Sequence, residues 1–213
     1  MARILKILFF ALIVKPLVLI VLGLNVKNRR NLPLSGPAVL AANHNSHLDT
    51  LVLMSLYPLS VIHKVRPVGA ADYFFANRAL AWFSRTVIGI IPLDRSGASK
   101  SIDDLFAAPA QALEQGDIVI LFPEGSRGKA EQLSRVKKGV YYLVSRYAEA
   151  KIIPVAMRGL GRALPRGEAL LVPFNCDVVI GEPLPECATS NEFVAELTTI
   201  YSDLLSQCLT KTE

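Results

Sequence analysis

Five short apolar runs, each separated from the next by a stretch of helical periodicity, constrain this chain more than any other feature. The runs are Ala38–Ala42, Val65–Ala70, Ile118–Phe122, Ile152–Met157 and Asp177–Ile180. Helical patterns cover Leu48–Tyr57, Ala76–Thr86, Ile102–Gln115, Gly139–Ala148 and Asn191–Leu209. This alternation predicts an α/β fold, with a mostly parallel central sheet flanked by helices. Thr189 and Glu192 form a capping box ahead of the last helix. Phe193, Leu197, Ile200, Tyr201, Leu204 and Cys208 then fall on one helical face and predict a core contact. At 213 residues the chain can bury a sizeable core.

Ahead of these elements lies a different kind of segment. From Ile4 to Leu24 the chain is apolar apart from Lys6 and Lys15. A bilayer span needs roughly 20 such residues. Lys15 at the centre of a span would cost about 2.5–3.5 kcal/mol, and Pro16 beside it predicts a kink or break. Arg3 and Lys6 precede the run, and Lys27, Arg29 and Arg30 follow it. Positive flanks mark the cytoplasmic side, so both ends belong on the cytoplasmic face of the cell membrane. These features favour an in-plane or re-entrant anchor of two apolar pieces folded back at Lys15-Pro16, over a single span or a buried core helix. A secretory signal would need a small-residue cleavage site, and Gly23–Lys27 offers a poor one. The expected division is therefore a membrane-associating helical segment over 1–30 and a catalytic or binding domain over 31–213. The turn-rich stretch Asn31–Pro37 forms the link.

Hydrophobic residues make up 52% of the chain and charged residues 19%, with a net charge of +5. The composition suits an anionic, phosphate-bearing substrate or an acidic lipid surface. Nucleic acid is not an expected partner, because the basic residues are scattered and no recognition module is present. Cys176, Cys187 and Cys208 lack metal-ligand spacing and read as small buried residues in a reducing compartment.

The chemistry-bearing residues lie just after two of the strand candidates. His44 follows Ala38–Ala42, with Asp49 five positions later on the incoming helix. An imidazole near its unperturbed pKa of about 6.5 can take a hydroxyl proton. A carboxylate on its other nitrogen fixes the tautomer and stabilises the imidazolium. The structural alternatives are a helix cap from Ser46-x-x-Asp49 and an ordinary loop histidine at position 44; His47 is a bystander. After Ile118–Phe122 comes Pro123-Glu124-Gly125-Ser126-Arg127-Gly128. Its glycines permit a backbone that turns N–H groups toward an anion, and the Arg127 guanidinium suits phosphate oxygens. Between the two, Gly89–Arg95 supplies Arg95 as a second cation, and Ile153-Pro154-Val155 is a proline-interrupted apolar strand.

Taken in order, these four segments resemble the four sequence blocks of the glycerophospholipid acyltransferase family, which includes the 1-acylglycerol-3-phosphate acyltransferases. The blocks fall on His44 with Asp49, on Gly89–Arg95, on Phe122–Arg127 and on Ile153–Val155. The resemblance implies transfer of an acyl chain from acyl carrier protein or coenzyme A to a glycerol hydroxyl of lysophosphatidic acid. On that resemblance His44 is the general base and Asp49 its partner. Arg95, Glu124, Gly125, Ser126 and Arg127 bind the acceptor's glycerol phosphate, and Ile153–Val155 is structural or lines the acyl site. No metal and no cofactor beyond the acyl thioester is expected. Three alternatives stay open: another lyso-lipid acceptor, a non-catalytic lipid-binding protein, and a hydrolase using Ser46 or Ser126. Neither serine sits in a Gly-x-Ser-x-Gly elbow.

Overall fold

The computed structural model describes residues 1–74, 77–94, 101–128, 131–147, 149–164 and 172–210. All five apolar runs become strands of one seven-stranded sheet. In chain order the strands are β1 (Gly23–Lys27), β2 (Ala38–Ala42), β3 (Val65–Ala70), β4 (Ile91–Leu93), β5 (Ile118–Leu121), β6 (Lys151–Arg158) and β7 (Asn175–Ile180). Their spatial order is β1-β7-β6-β2-β5-β3-β4. Neighbours pair in parallel except β6 with β7, so the sheet is mostly parallel. The helices are α1 (Ala2–Val21), α2 (Leu48–Ser55), α3 (Ala71–Phe74), α4 (Arg78–Phe83), α5 (Ile102–Glu114), α6 (Gly139–Val144), α7 (Leu160–Ala163) and α8 (Ser190–Ser206).

Alternation along β2 shows how the two faces are filled. Leu40 and Ala42 join a core with Phe10 and Val14 of α1 and Val52 and Leu53 of α2. Val39 and Ala41 point into a second core with Phe106 and Leu113 of α5, Leu143 of α6 and Leu197 and Tyr201 of α8. Every residue of β2 and β5 is buried, as a sheet covered by helices on both faces requires. Thr189 caps α8 as expected, its Oγ1 accepting from Glu192 N, whereas Glu192 Oε2 accepts from Ala188 N, one residue ahead of the cap, rather than from Thr189 N.

Helix α1 corrects the expected fold-back at Lys15-Pro16. Lys15 has helical dihedrals (φ −62°, ψ −47°), and Ala2–Val21 is one continuous helix. A π-turn over Phe10–Val14 ends one residue before the proline. The wider turn accommodates a ring that lacks an N–H and crowds the preceding carbonyls. Phe10, Val14, Val18 and Leu22, spaced by four, are buried in the core. Ile4, Leu8, Leu12, Ile13, Leu19 and Ile20 are exposed. The lysines face the protein: Lys6 Nζ donates to Val65 O at 2.7 Å, and Lys15 Nζ donates to Tyr57 O at 2.9 Å.

The sheet also reaches further toward the N-terminus than the boundary at residue 30. Gly23–Lys27, placed with the anchor by composition, pairs in parallel with β7. Asn25 Nδ2 donates to Asp177 Oδ1 across that pair at 2.7 Å. Cys176 and Cys208 are buried, with thiols pushed up to about 12 and about 11 by desolvation, whereas Cys187 is half-buried.

Candidate active site

Strands β2 and β5 are adjacent and parallel, so the loops leaving their carboxyl ends meet above the same edge of the sheet, where ligands of open α/β sheets bind. One loop carries His44 and the other Glu124 to Arg127.

His44 Nδ1 lies 2.8 Å from Asp49 Oδ2. The same oxygen accepts the backbone N–H groups of Asn45 (2.6 Å) and Ser46 (2.8 Å). Asp49 therefore holds the loop ahead of α2 as well as the histidine, whereas the helix start itself carries no side-chain cap. Its side chain is fully buried and that of His44 is 18% exposed. The Phe122 ring stacks on the imidazole, 4.0 Å between centroids and 17° between planes. With Nδ1 bound to the carboxylate and the ring held flat on Phe122, Nε2 is the nitrogen left to exchange a proton.

The histidine loop is tied down from beneath. Asn43 Oδ1 accepts from Met157 N (2.6 Å), and its Nδ2 donates to Met157 O (2.9 Å). Asn45 Nδ2 donates to the same carbonyl at 2.8 Å. Beside it, Glu124 bridges the two loops: Oε1 accepts from His44 N at 2.8 Å and Oε2 from Ser134 N at 3.0 Å. Burial raises its pKa, opposed by the two backbone hydrogen bonds.

Beside His44 opens a cavity of about 780 Å³. Its polar lining includes His44, His47, Asp72, Ser126, Arg127 and Lys137, and Val68, Ile90, Leu93, Leu105 and Leu121 contribute apolar lining. Gly125 has φ +72°, and a Cβ there would stand 2.8 Å from Lys137 Nζ, so the lysine ammonium lies directly against the glycine.

Measured against the sequence expectations, the structure brings His44, Asp49, Gly125, Ser126 and Arg127 to one place. Glu124 is there too, but in another role: its oxygens are engaged by backbone N–H groups, away from the cavity lining. A buried carboxylate holding two loops also suits the electrostatics better than one facing a phosphate. Ile153-Pro154-Val155 is central sheet, paired with Leu40–Ala42, and lies outside the cavity lining. Arg95 lies outside the described residues. His47 stacks on Tyr73 at the cavity rim and is not the Asp49 partner. Sequence reasoning missed Phe122 as the ring support, Asn43 and Asn45 as loop ties, and Lys137 as a rim cation. The Asn-His-Asn spacing and the Lys137-Lys138-Gly139 run were the available signals.

A histidine–carboxylate pair at the carboxyl ends of a mostly parallel sheet, beside a largely apolar cavity that Arg127 and Lys137 also line, is an arrangement suited to acid–base chemistry. The chain belongs to the acyltransferase family, whose model matches residues 23–158. It is 31% identical over 164 residues to the chloroplastic 1-acyl-sn-glycerol-3-phosphate acyltransferase LPAT1 of Arabidopsis thaliana, covering 76% of this chain and 43% of that protein. It is 26% identical over 163 residues to the 1-acyl-sn-glycerol-3-phosphate acyltransferase of Bacillus subtilis, covering 76% and 74%. The chain spans about half the length of the first curated relatives it matches. In fold it is similar to the crystal structure of the 1-acyl-sn-glycerophosphate acyltransferase PlsC from Thermotoga maritima. The TM-score is 0.77 at 16% identity, over 99% of this chain and 83% of that one.

Proposed function

We propose that this protein transfers a fatty acyl chain from an acyl thioester, on acyl carrier protein or coenzyme A, to the free hydroxyl of lysophosphatidic acid in phospholipid synthesis. The observation that carries the reading is the 2.8 Å His44–Asp49 pair beside a cavity rimmed by Arg127 and Lys137 and walled by apolar side chains. His44 Nε2 accepts the acceptor's hydroxyl proton as that oxygen attacks the thioester carbonyl. Asp49 stabilises the imidazolium that forms. Collapse of the tetrahedral intermediate breaks the carbon–sulfur bond, and the imidazolium returns its proton to the departing thiolate. The thioester is the co-substrate, and the proton transfers need no metal or resident cofactor.

Arg127 and Lys137 bind the phosphate, Arg127 through its planar fork and Lys137 as a point charge. Gly125 and Ser126 line the approach, and the apolar wall accepts an acyl chain. In this reading Arg95 is a further phosphate ligand. A lysophospholipid tail taken from bilayer into water would cost on the order of 10 kcal/mol. The exposed apolar face of α1 instead holds the enzyme at the cytoplasmic face of the membrane, where the acceptor already resides.

Turnover of purified protein with acyl-coenzyme A and acyl–acyl carrier protein, against a panel of lyso-acceptors, tests the assignment. Lysophosphatidic acid is expected to be the best acceptor. A phosphate-free acceptor turned over faster would overturn the headgroup assignment.

A further inference from the structure

The stretch between β3 and β4 leaves an unusual set of side chains in the open. Tyr73 on α3 is 47% exposed and Trp82 on α4 is 57% exposed. Tyr73 and Phe74 line the cavity beside His44, and α4 begins a few residues later. The position of α4 is set by α1: the Phe83 ring meets Phe9 edge-on, with centroids 5.2 Å apart. The neighbours of Phe9 along α1, Leu8, Leu12 and Ile13, are 48%, 70% and 56% exposed. Thus the helix that shows an apolar face to the outside is packed against the helix that bears Trp82. Arg78, in the first turn of α4, and Arg85, just beyond it, are exposed cations beside the tryptophan. Aromatic rings at the edge of an apolar surface, flanked by cations, match the interfacial zone of a bilayer carrying anionic lipid.

We propose that α4, through Trp82, is a second membrane-contact element that seats the mouth of the cavity on an anionic lipid surface alongside α1. The inference rests on the proposed function in needing a bilayer-held acceptor, and it adds the contact that orients the cavity toward it. A single apolar helix lying on a membrane can roll about its own axis. A second contact beside it removes that freedom and fixes which side of the domain meets lipid. Tyr73 and Phe74 then stand where an acceptor tail passes from bilayer to cavity.

Trp82 is the only tryptophan in this sequence, so tryptophan emission, excited selectively over the tyrosines, reports on this position alone. Vesicles of phosphatidylcholine with phosphatidylglycerol should shift the emission to the blue, and brominated acyl chains should quench it. Trp82→Ala should weaken vesicle binding by about 10–100-fold, as loss of a largely buried indole contact implies. The same variant should keep wild-type turnover on a short-chain acceptor in solution. Arg78→Glu should lower affinity for the phosphatidylglycerol vesicles and leave the weaker binding to pure phosphatidylcholine in place. Co-sedimentation with vesicles without an emission change would overturn the proposal while sparing both the α1 anchor and the acyltransferase reading. An emission shift that follows protein concentration without lipid would overturn it in favour of self-association. Loss of short-chain turnover in Trp82→Ala would also refute it, by placing the indole in the catalytic fold.

Discussion

Replacing Glu124 by glutamine separates two roles that the sequence could not tell apart. In the structure its two oxygens accept backbone N–H groups from His44 (2.8 Å) and Ser134 (3.0 Å). A glutamine has one acceptor oxygen, so its amide nitrogen must face one of those donors whichever way it turns. One charge-assisted bond is lost and one N–H loses its partner, a cost of about 1.5–3 kcal/mol. For a domain of this size, about 2 kcal/mol lowers Tm by roughly 4–8 °C. Release of either loop displaces the imidazole from Arg127 and Lys137, and a displacement of about 1 Å can lower turnover 10²-fold. Thermal unfolding followed by circular dichroism, with kcat and KM for lysophosphatidic acid, should therefore show lower Tm and lower kcat with KM changed less. Unchanged Tm with a raised KM alone would refute the argument, because it would mean that Glu124 touches the headgroup.

Other outcomes follow from the same geometry. His44→Ala should fold and lose about 10²–10⁴ in kcat, with circular dichroism confirming the fold. Gly125→Ala should cost about 1–2 kcal/mol, because an alanine is strained at φ +72° and its methyl meets Lys137 Nζ; KM for the phosphate-bearing acceptor should rise. Leu12→Glu with Leu19→Lys, both on the outer face of α1, should release the protein from vesicles with Tm unchanged. Deleting Ala2–Val21 should instead leave insoluble protein, since Phe10, Val14 and Val18 are core residues. Glu131 accepts backbone N–H groups of Gly159 (2.7 Å) and Gly161 (3.0 Å), and burial raises its pKa. The folded state then holds the proton to higher pH than the unfolded chain. Its contribution to stability is full below about pH 4 and is lost as pH rises through the raised value. Glu131→Gln should flatten the fall in Tm over that window.

Much of the sheet was legible because its central strands are uniformly apolar and framed by turn formers. The edges were not. β4 is three residues long, and β1 continues the apolar run of α1 with no signal to part them; its Asn25–Asp177 bond joins positions far apart in the chain. Pro16 misled for a local reason, since the π-turn that absorbs it has no sequence signature of its own. At the site, the histidine-to-aspartate spacing pointed to a pair, and the glycine-arginine loop to a cation near it. The role of Glu124 was hidden because its partners are backbone groups, and a backbone donor looks the same in every residue.

A helix that closes the hydrophobic core on one side and exposes an apolar face on the other leaves no seam along which the protein could be cut. Proteolysis at residue 22 would strip part of the wall from the interior of the enzyme, and the remainder would have no native state to keep. Regulated shedding of an active, freely diffusing form is therefore closed to this architecture.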